Sequence, residues 1–253
     1  MKYLLSAAGK EALTAMIGRG CLFAFDFDGT LSPTVVLPER ARMPTSIGQG
    51  FQALCDTAPV AIITGRSVDD ITLRLPASPK YLVGNHGAEG IPGHDGNFLG
   101  YRAICEGWMH QIMHVLQLER IDPGLMIEHK VYSICMHYRL AHDRTRTARE
   151  VEAAVQQLDP APLIIGGKCG INLLPPSAPN KRLALERLLA LEGQRAAFYV
   201  GDDETDEIVF RHAPSNWVTA RIGRVKDSGA QFFLHHQCEM AECLQLLTKM
   251  TRK

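Results

Sequence analysis

Two carboxylates one residue apart, Asp26 and Asp28 in the run Asp26-Phe27-Asp28-Gly29-Thr30-Leu31, follow directly on the apolar stretch Leu22 to Phe25. Alternation around Phe27 turns both toward one side of an extended chain. Like charges that close require a cation beside them. A hard divalent ion such as Mg2+ fits, because it prefers oxygen ligands and leaves positions for water and phosphate oxygens. In that setting Asp26 can hold the metal and attack phosphorus, so that an acyl phosphate divides one slow hydrolysis into two displacements. Asp28, also a candidate metal ligand, is then the group that protonates the leaving oxygen and later activates water. The plainer use of such a pair is to cap the helix that follows.

Three further polar elements share the same setting. Thr64-Gly65-Arg66 follows the apolar run Val60 to Ile63, and a hydroxyl with free backbone N–H groups can hold a phosphoryl oxygen. Lys181 opens a helix after the proline-rich Pro175 to Pro179, where its ammonium can offset charge that develops during phosphoryl transfer. Gly201-Asp202-Asp203 follows Phe198 to Val200, and with Asp206 and Glu207 makes the most acidic stretch in the chain. Each element alone reads as a cap or as solvated surface. Taken in order they are an acid pair, a threonine, a lysine and a second acid pair, all at strand ends or at a helix start. In open α/β sheets the ligand crevice lies at the carboxyl ends of the strands.

The elements that must carry these residues follow from periodicity. A surface helix is expected over Leu4 to Ile17, then a buried strand at Leu22 to Phe25, a helix from Ser46 to Asp56, and a strand at Val60 to Ile63. A helix from Val68 and a strand at Tyr81 to Val83 continue this grammar. After Gly90 the pattern changes. Helical spacing across Ile104, Met109, Ile112, Met113 and Leu116 precedes a long strand-like run, Met126 to Leu140, a helix over Thr145 to Leu158, and short strands at Pro162 to Ile165 and Gly170 to Leu174. The parallel pattern resumes with a helix from Asn180 to Glu192 and a strand at Ala196 to Val200, and Trp217 to Thr219 is expected to be the last strand. The fold class is therefore α/β, a Rossmann-like parallel-sheet core with a smaller inserted α+β cap domain. The core is expected to span 1–100 and 176–253, and the cap 101–175.

Apolar residues make up 46% of the 253 and charged residues 21%, which suits a folded globular chain rather than a disordered one. Lys plus Arg equals Asp plus Glu at 27 each, with no long basic run, so nucleic acid is not an expected partner. No stretch approaches the ~20 apolar residues needed to cross a bilayer, so no membrane partner is expected either. Seven scattered cysteines without C-x-x-C spacing point to reduced thiols in a cytoplasmic protein. His110, His114, His235 and His236 sit at incidental helical spacings with no companion cluster to hold zinc. A monomer acting on a small molecule is the expectation.

The residues Asp26-Phe27-Asp28-Gly29-Thr30, Thr64, Lys181 and Gly201-Asp202-Asp203-Glu204-Thr205-Asp206 resemble, in type and order, the four signature motifs of haloacid dehalogenase-type phosphatases. The resemblance implies Asp26 as nucleophile and metal ligand, Asp28 as general acid and base, Thr64 and Lys181 as phosphate clamps, and Asp202 as a metal ligand. Asp203 and Asp206 would be ligands or would support them. Further segments are similar to one family within that group, the trehalose-6-phosphate phosphatases. These are Ile63 to Ser67, Gly84-Asn85-His86-Gly87-Ala88-Glu89, Glu128-His129-Lys130, His137-Tyr138-Arg139 and Gly201 to Glu207, and the similarity runs from about Cys21 to Val225.

That likeness implies a sugar phosphate as substrate, with Glu128 and Lys130 of the cap binding distal glucose hydroxyls. It also puts Gly65, Arg66, His86 and Glu89 at the substrate. The chain departs from the family where Asn172 and Leu174 stand in place of charged residues. Asn172 still donates and accepts hydrogen bonds, but loss of a charged partner costs on the order of 1.5 to 3 kcal/mol. A second departure is Arg182 after Lys181, where the family often has glycine.

Overall fold

The strand β2 (Cys21–Phe25) is buried at all five positions, and alternation sends its side chains into two separate layers. Phe23 and Phe25 meet one layer of helices while Leu22 and Ala24 meet the other. A strand covered on both faces needs no polar residue, so its sequence is continuous in apolar character. The first polar residue is therefore the first residue past its end, Asp26.

In the computed structural model, residues 1–93, 98–116, 121–167 and 169–252 are described. The chain divides into two compact units, Met1–Ile91 with Asn180–Lys253, and Pro92–Pro179. The expected cap, 101–175, lies inside the second unit, which begins nine residues earlier, at Pro92, and ends four later, at Pro179. The helix Phe98–Val115 contributes Cys105, Trp108 and Ile112 to the core of the second unit, and so draws the border ahead of it. The proline-rich turn stays with that unit through Tyr101, whose hydroxyl donates to the carbonyl of Ser177 at 2.9 Å.

The first unit runs β1 (Lys2–Tyr3), α1 (Ala7–Ile17), β2, α2 (Thr45–Cys55), β3 (Val60–Ile63), α3 (Val68–Thr72) and β4 (Tyr81–Val83). The second holds α4 (Phe98–Val115), β5 (Met126–His129), β6 (Ile134–His137), α5 (Arg144–Val155), β7 (Leu163–Gly167) and β8 (Gly170–Leu174). The chain then returns to the first unit with α6 (Lys181–Glu192), β9 (Ala196–Gly201), α7 (Glu207–Phe210), β10 (Val218–Ile222), β11 (Phe232–Leu234) and α8 (Met240–Thr251).

Seven parallel strands form the larger sheet in the order β1-β11-β10-β9-β2-β3-β4. From β2 the chain winds outward through β3 and β4 on one side, and it returns to fill the other side with β9, β10 and β11. The order thus reverses between β2 and β9, and ligands bind at such a switch point in open α/β sheets. Helices cover both faces. On one side α1, α2 and α8 contribute Leu13, Phe51, Leu54, Leu244 and Leu247, and on the other α6 and α7 contribute Leu185, Leu188, Val209 and Phe210.

Three details depart from the periodicity reading. Helix α1 starts at Ala7 rather than Leu4, because the Ser6 side chain caps it by accepting from the Gly9 amide. The run Met126 to Leu140 is two strands rather than one, closed by a tight turn at Lys130 to Ser133 in which Val131 has φ 68°. The amide of Lys130 donates to the carbonyl of Ser133 at 2.9 Å to close that turn. Beyond the strand expected to be last, β11 and α8 complete the sheet and its cover. The α8 spacing Met240, Cys243, Leu244, Leu247 is an amphipathic pattern that packs on α2.

The smaller sheet is antiparallel, in the order β5-β6-β8-β7. Ile134, Met136 and Leu173 point from one face into a core with Trp108, Ile112, Val151 and Val155 of α4 and α5. The alternate residues, Glu128, Cys135, His137 and Asn172, must then share the opposite face.

Candidate active site

β2 and β9 are neighbours with Phe25 opposite Val200, so the residues that follow each strand emerge side by side. The Asp26 amide continues the ladder by donating to the Val200 carbonyl at 3.0 Å. Asp26 and Asp202 are thereby fixed by the backbone register of the central strands, not by loops. Lys181 arrives from another direction. Asn180 caps α6, its side-chain oxygen accepting from the Leu183 amide at 3.0 Å, which makes Lys181 the first helical residue. A cation there meets the positive end of the helix dipole, so its burial at this position needs anions close by.

Those anions are present. Lys181 Nζ donates to Asp26 Oδ1 at 2.9 Å and to Asp206 Oδ1 at 2.8 Å, and its side chain is 3% exposed. Asp206 is fully buried and saturated. Its Oδ1 also accepts from the Tyr199 hydroxyl at 2.6 Å, while its Oδ2 accepts from the amides of Asp202 and Asp203, each at 3.0 Å. Asp206 therefore ties the β9 loop to α6. Two glycines let the carboxylates approach the backbone. A Cβ on Gly201 would lie 2.1 Å from the Asp206 carboxyl carbon, and one on Gly29, where φ is +80°, would lie 2.2 Å from Asp202 Oδ2. Asp203 caps the following turn, accepting from the Glu204 amide at 2.8 Å.

Charge is not balanced within this cluster. Oxygens of Asp26, Asp202 and Asp206 lie within 4.8 Å of one another, with Lys181 as the ammonium bonded to two of them. Burial raises the Asp206 carboxyl, but attraction to Lys181 and hydrogen bonds from Lys181 and Tyr199 outweigh it and hold Asp206 below its ordinary value. Burial likewise opposes the charged Lys181, yet Asp206 and Asp26 raise its pKa. Asp26 is left on the losing side. Burial pushes it well above the usual carboxylate range, Lys181 pulls against this, and the carboxylates of Asp206, Asp202 and Asp28 add to the rise. A further cation relieves that excess. With both Asp206 oxygens taken, Asp26 and Asp202 are the carboxylates suited to hold one, and an all-oxygen donor set suits a hard divalent ion.

Asp28 goes elsewhere. Both of its oxygens accept from Arg66, Oδ2 from Nε and Oδ1 from Nη2, each at 2.7 Å. Arg66 also donates to Asp70 at 2.6 Å and to the Pro38 carbonyl at 2.9 Å. The guanidinium expected at the substrate is thus engaged within its own unit, in a forked pair with the acid. Glu89 is engaged in the same way, accepting from the Val68 amide at 2.9 Å and from Asn85 Nδ2 at 2.7 Å. Buried Thr64 lies at the end of β3, its hydroxyl accepting from the Arg66 amide at 3.2 Å. The buried His86 ring packs over Gly65, where a Cβ would lie 2.5 Å from it. Sequence reasoning missed Tyr199 and Asp70. Tyr199 sits in an otherwise apolar strand and reads as core. Asp70 reads as a first-turn acid of α3, and only the fold brings it to Arg66.

In the smaller unit, Glu128 of β5 lies opposite Cys135 of β6, and Cys135 opposite Asn172 of β8. Glu128 Oε2 is 3.5 Å from Lys130 Nζ and 3.1 Å from His137 Nε2. The other ring nitrogen, Nδ1, is 3.6 Å from Cys135 Sγ. Hydrogen bonds to Cys135 and to Glu128 raise the His137 imidazole to about 9. Burial raises Glu128, but the His137 hydrogen bond and Lys130 prevail and lower it. Cys135 was not among the expected site residues, because a cysteine inside a strand ordinarily reads as core.

The trehalose-phosphatase family model matches residues 24–234. An uncharacterized glycosyl hydrolase of Mycobacterium tuberculosis is 32% identical over 207 residues, 77% of this chain and 15% of that protein. The trehalose-phosphate phosphatase of Mycobacterium marinum is 32% identical over 252 residues, 94% of this chain and 63% of that protein. The chain thus spans less than two thirds of the length of either relative. The C-terminal domain of the C. albicans trehalose-6-phosphate phosphatase has the same fold, with a TM-score of 0.75 at 21% identity, covering 94% of this chain and 96% of that one.

Proposed function

Because this chain belongs to the trehalose-phosphatase family, we propose that it hydrolyses trehalose 6-phosphate to trehalose and inorganic phosphate through an aspartyl-phosphate on Asp26. The observation that carries the reading is the convergence of Asp26, Lys181, Asp202 and Asp206 at the ends of β2 and β9, with a surplus of negative charge among them.

An Asp26 oxygen attacks phosphorus, and the bond to the sugar oxygen breaks. Asp28 delivers the proton to that oxygen, for which it exchanges part of its Arg66 fork for the substrate. The same carboxylate then takes a proton from water as it attacks the acyl phosphate and frees Asp26. Lys181 and Thr64 hold phosphoryl oxygens, and Asp206 holds Lys181 so that its ammonium is in place before substrate arrives. A divalent cation, magnesium by the oxygen character of the donors, would be held by Asp26 and Asp202 and would neutralise phosphoryl charge. Arg66, Glu89, Gly65 and His86 position the loops that follow β3 and β4.

The inserted unit, 92–179, is the sugar-recognition cap. Glu128 and Lys130 supply paired acceptor and donor groups to glucose hydroxyls, and Asn172 adds a neutral amide. The neutral Asn172, standing where the resemblance implies a charged residue, favours a second reading in which a related disaccharide phosphate is the preferred substrate. Seven free thiols support action in a reducing cytosol.

Phosphate release across trehalose 6-phosphate, sucrose 6-phosphate, glucose 6-phosphate and an aryl phosphate, with magnesium and with chelator, tests both readings. Expected is a preference for trehalose 6-phosphate in kcat/KM on the order of a hundredfold, and loss of turnover with chelator. Equal rates on all four would refute disaccharide recognition, and turnover in chelator would refute the metal.

A further inference from the structure

The polar face of the insert sheet carries a donor set of which the phosphatase reading uses only Glu128. Cys135, His137 and Glu128 each offer one ligand atom, and these lie within 4.8 Å of one another. The grouping follows from the sheet itself. Glu128 is directly across from Cys135, and His137 is two residues along the same strand on the same face. A thiolate, an imidazole and a carboxylate are chemically unlike the all-oxygen cluster of the parallel sheet. Sulfur and nitrogen donors disfavour magnesium and favour a borderline-soft ion.

We propose that Cys135 Sγ, one His137 ring nitrogen and a Glu128 oxygen form a second metal site, for a divalent ion of the zinc class, with a water-filled fourth position. Three protein ligands with one open position is a stable zinc arrangement. Charge supports it: thiolate and carboxylate together neutralise a divalent ion, so the ion and its ligands carry no net charge, with the Lys130 ammonium 3.5 Å from Glu128 Oε2 as a neighbouring cation. The His137 ring already stands between the other two groups, 3.6 Å from Cys135 Sγ and 3.1 Å from Glu128 Oε2. One ligand atom from each of the three residues already lies within 4.8 Å of the others, and the half-exposed Glu128, whose side chain is 47% accessible, leaves a path for the ion.

Occupancy takes Glu128 away from the sugar. This consequence rests on the cap assignment above, whereas the site itself does not. Zinc bound here then acts as a competitor of the disaccharide and leaves the phosphoryl-transfer cluster untouched.

Cobalt(II), a spectroscopic substitute for zinc, is titrated into the full chain with magnesium present and no substrate. A thiolate-to-cobalt charge-transfer band, displaced by zinc, is expected in the unaltered protein and in Cys238→Ser, and its loss in Cys135→Ser. A site made only of carboxylates gives no such band. His137→Ala, changed at a half-exposed position, is expected to weaken cobalt binding at least about tenfold, and it serves if Cys135→Ser fails to fold. No band, a band that survives loss of Cys135, or a cobalt affinity unchanged by His137→Ala overturns the site. In steady-state assays zinc is expected to raise KM for trehalose 6-phosphate in the unaltered protein and not in Cys135→Ser; an unchanged KM overturns the competition. The spectrum needs no turnover, so a protein inactive on trehalose 6-phosphate would count against the phosphatase reading alone.

Discussion

The acid cluster of the parallel sheet and the polar face of the insert sheet each bring carboxylates to a lysine, yet they do so in opposite physical regimes. In the first, Lys181 is 3% exposed and Asp206 not at all, and Asp206 accepts four hydrogen bonds from three elements. In the second, Glu128 is 47% exposed and its contact with Lys130 is 3.5 Å. Buried charges are tolerated only when paired and hydrogen-bonded, and then they are rigid. Half-exposed charges keep water as an alternative partner and stay adaptable. The proposed phosphoryl contact, which must hold to within a fraction of an ångström, suits the first regime, and the proposed reception of sugar hydroxyls suits the second.

The sharpest break of this comparison is at the proposed nucleophile. Asp26→Asn is expected to cut phosphate release by roughly a thousandfold or more, because an amide forms no acyl phosphate, while circular dichroism and urea unfolding stay close to those of the unaltered protein. Near-normal turnover would remove Asp26 from its role.

Next is the tether. Asp206→Ala leaves Lys181 and Tyr199 buried without their shared acceptor, and breaking such a buried pair costs about 3 to 5 kcal/mol. The urea midpoint should fall accordingly, and activity should fall with it because Lys181 loses its hold. A stability change below about 1 kcal/mol would mean that the cluster is not the rigid element described here.

The smallest effect is expected on the insert face. Glu128→Ala should raise KM for the disaccharide phosphate about tenfold, as loss of a charged hydrogen-bond partner predicts. It should leave kcat/KM for an aryl phosphate unchanged and alter stability by less than about 1 kcal/mol. Equal effects on both substrates would erase the distinction between a chemical cluster and a recognition face.

The α/β class, the strands β2, β3 and β9, and the residues Asp26, Thr64, Lys181 and Asp202 were all legible before any fold was known. Each stands at the edge of an apolar run or beside a helix cap, and a doubly buried strand must end at its first polar residue. The hairpin between β5 and β6 was not legible, because residues 126–140 are apolar enough for one long strand and only pairing shows the turn. Glycines at 29 and 201 were visible as motif residues, but their reason, the approach of Asp202 and Asp206 to the backbone, was not.

Local sequence thus determined which groups can do chemistry and on which kind of element they sit, since periodicity and capping act within a few residues of chain. The tertiary structure alone decided which partners they meet: that Asp28 pairs with Arg66, that Tyr199 and Asp206 secure Lys181, and that Cys135 faces Glu128. Those pairings join residues brought together by sheet register and helix packing, which no local pattern encodes.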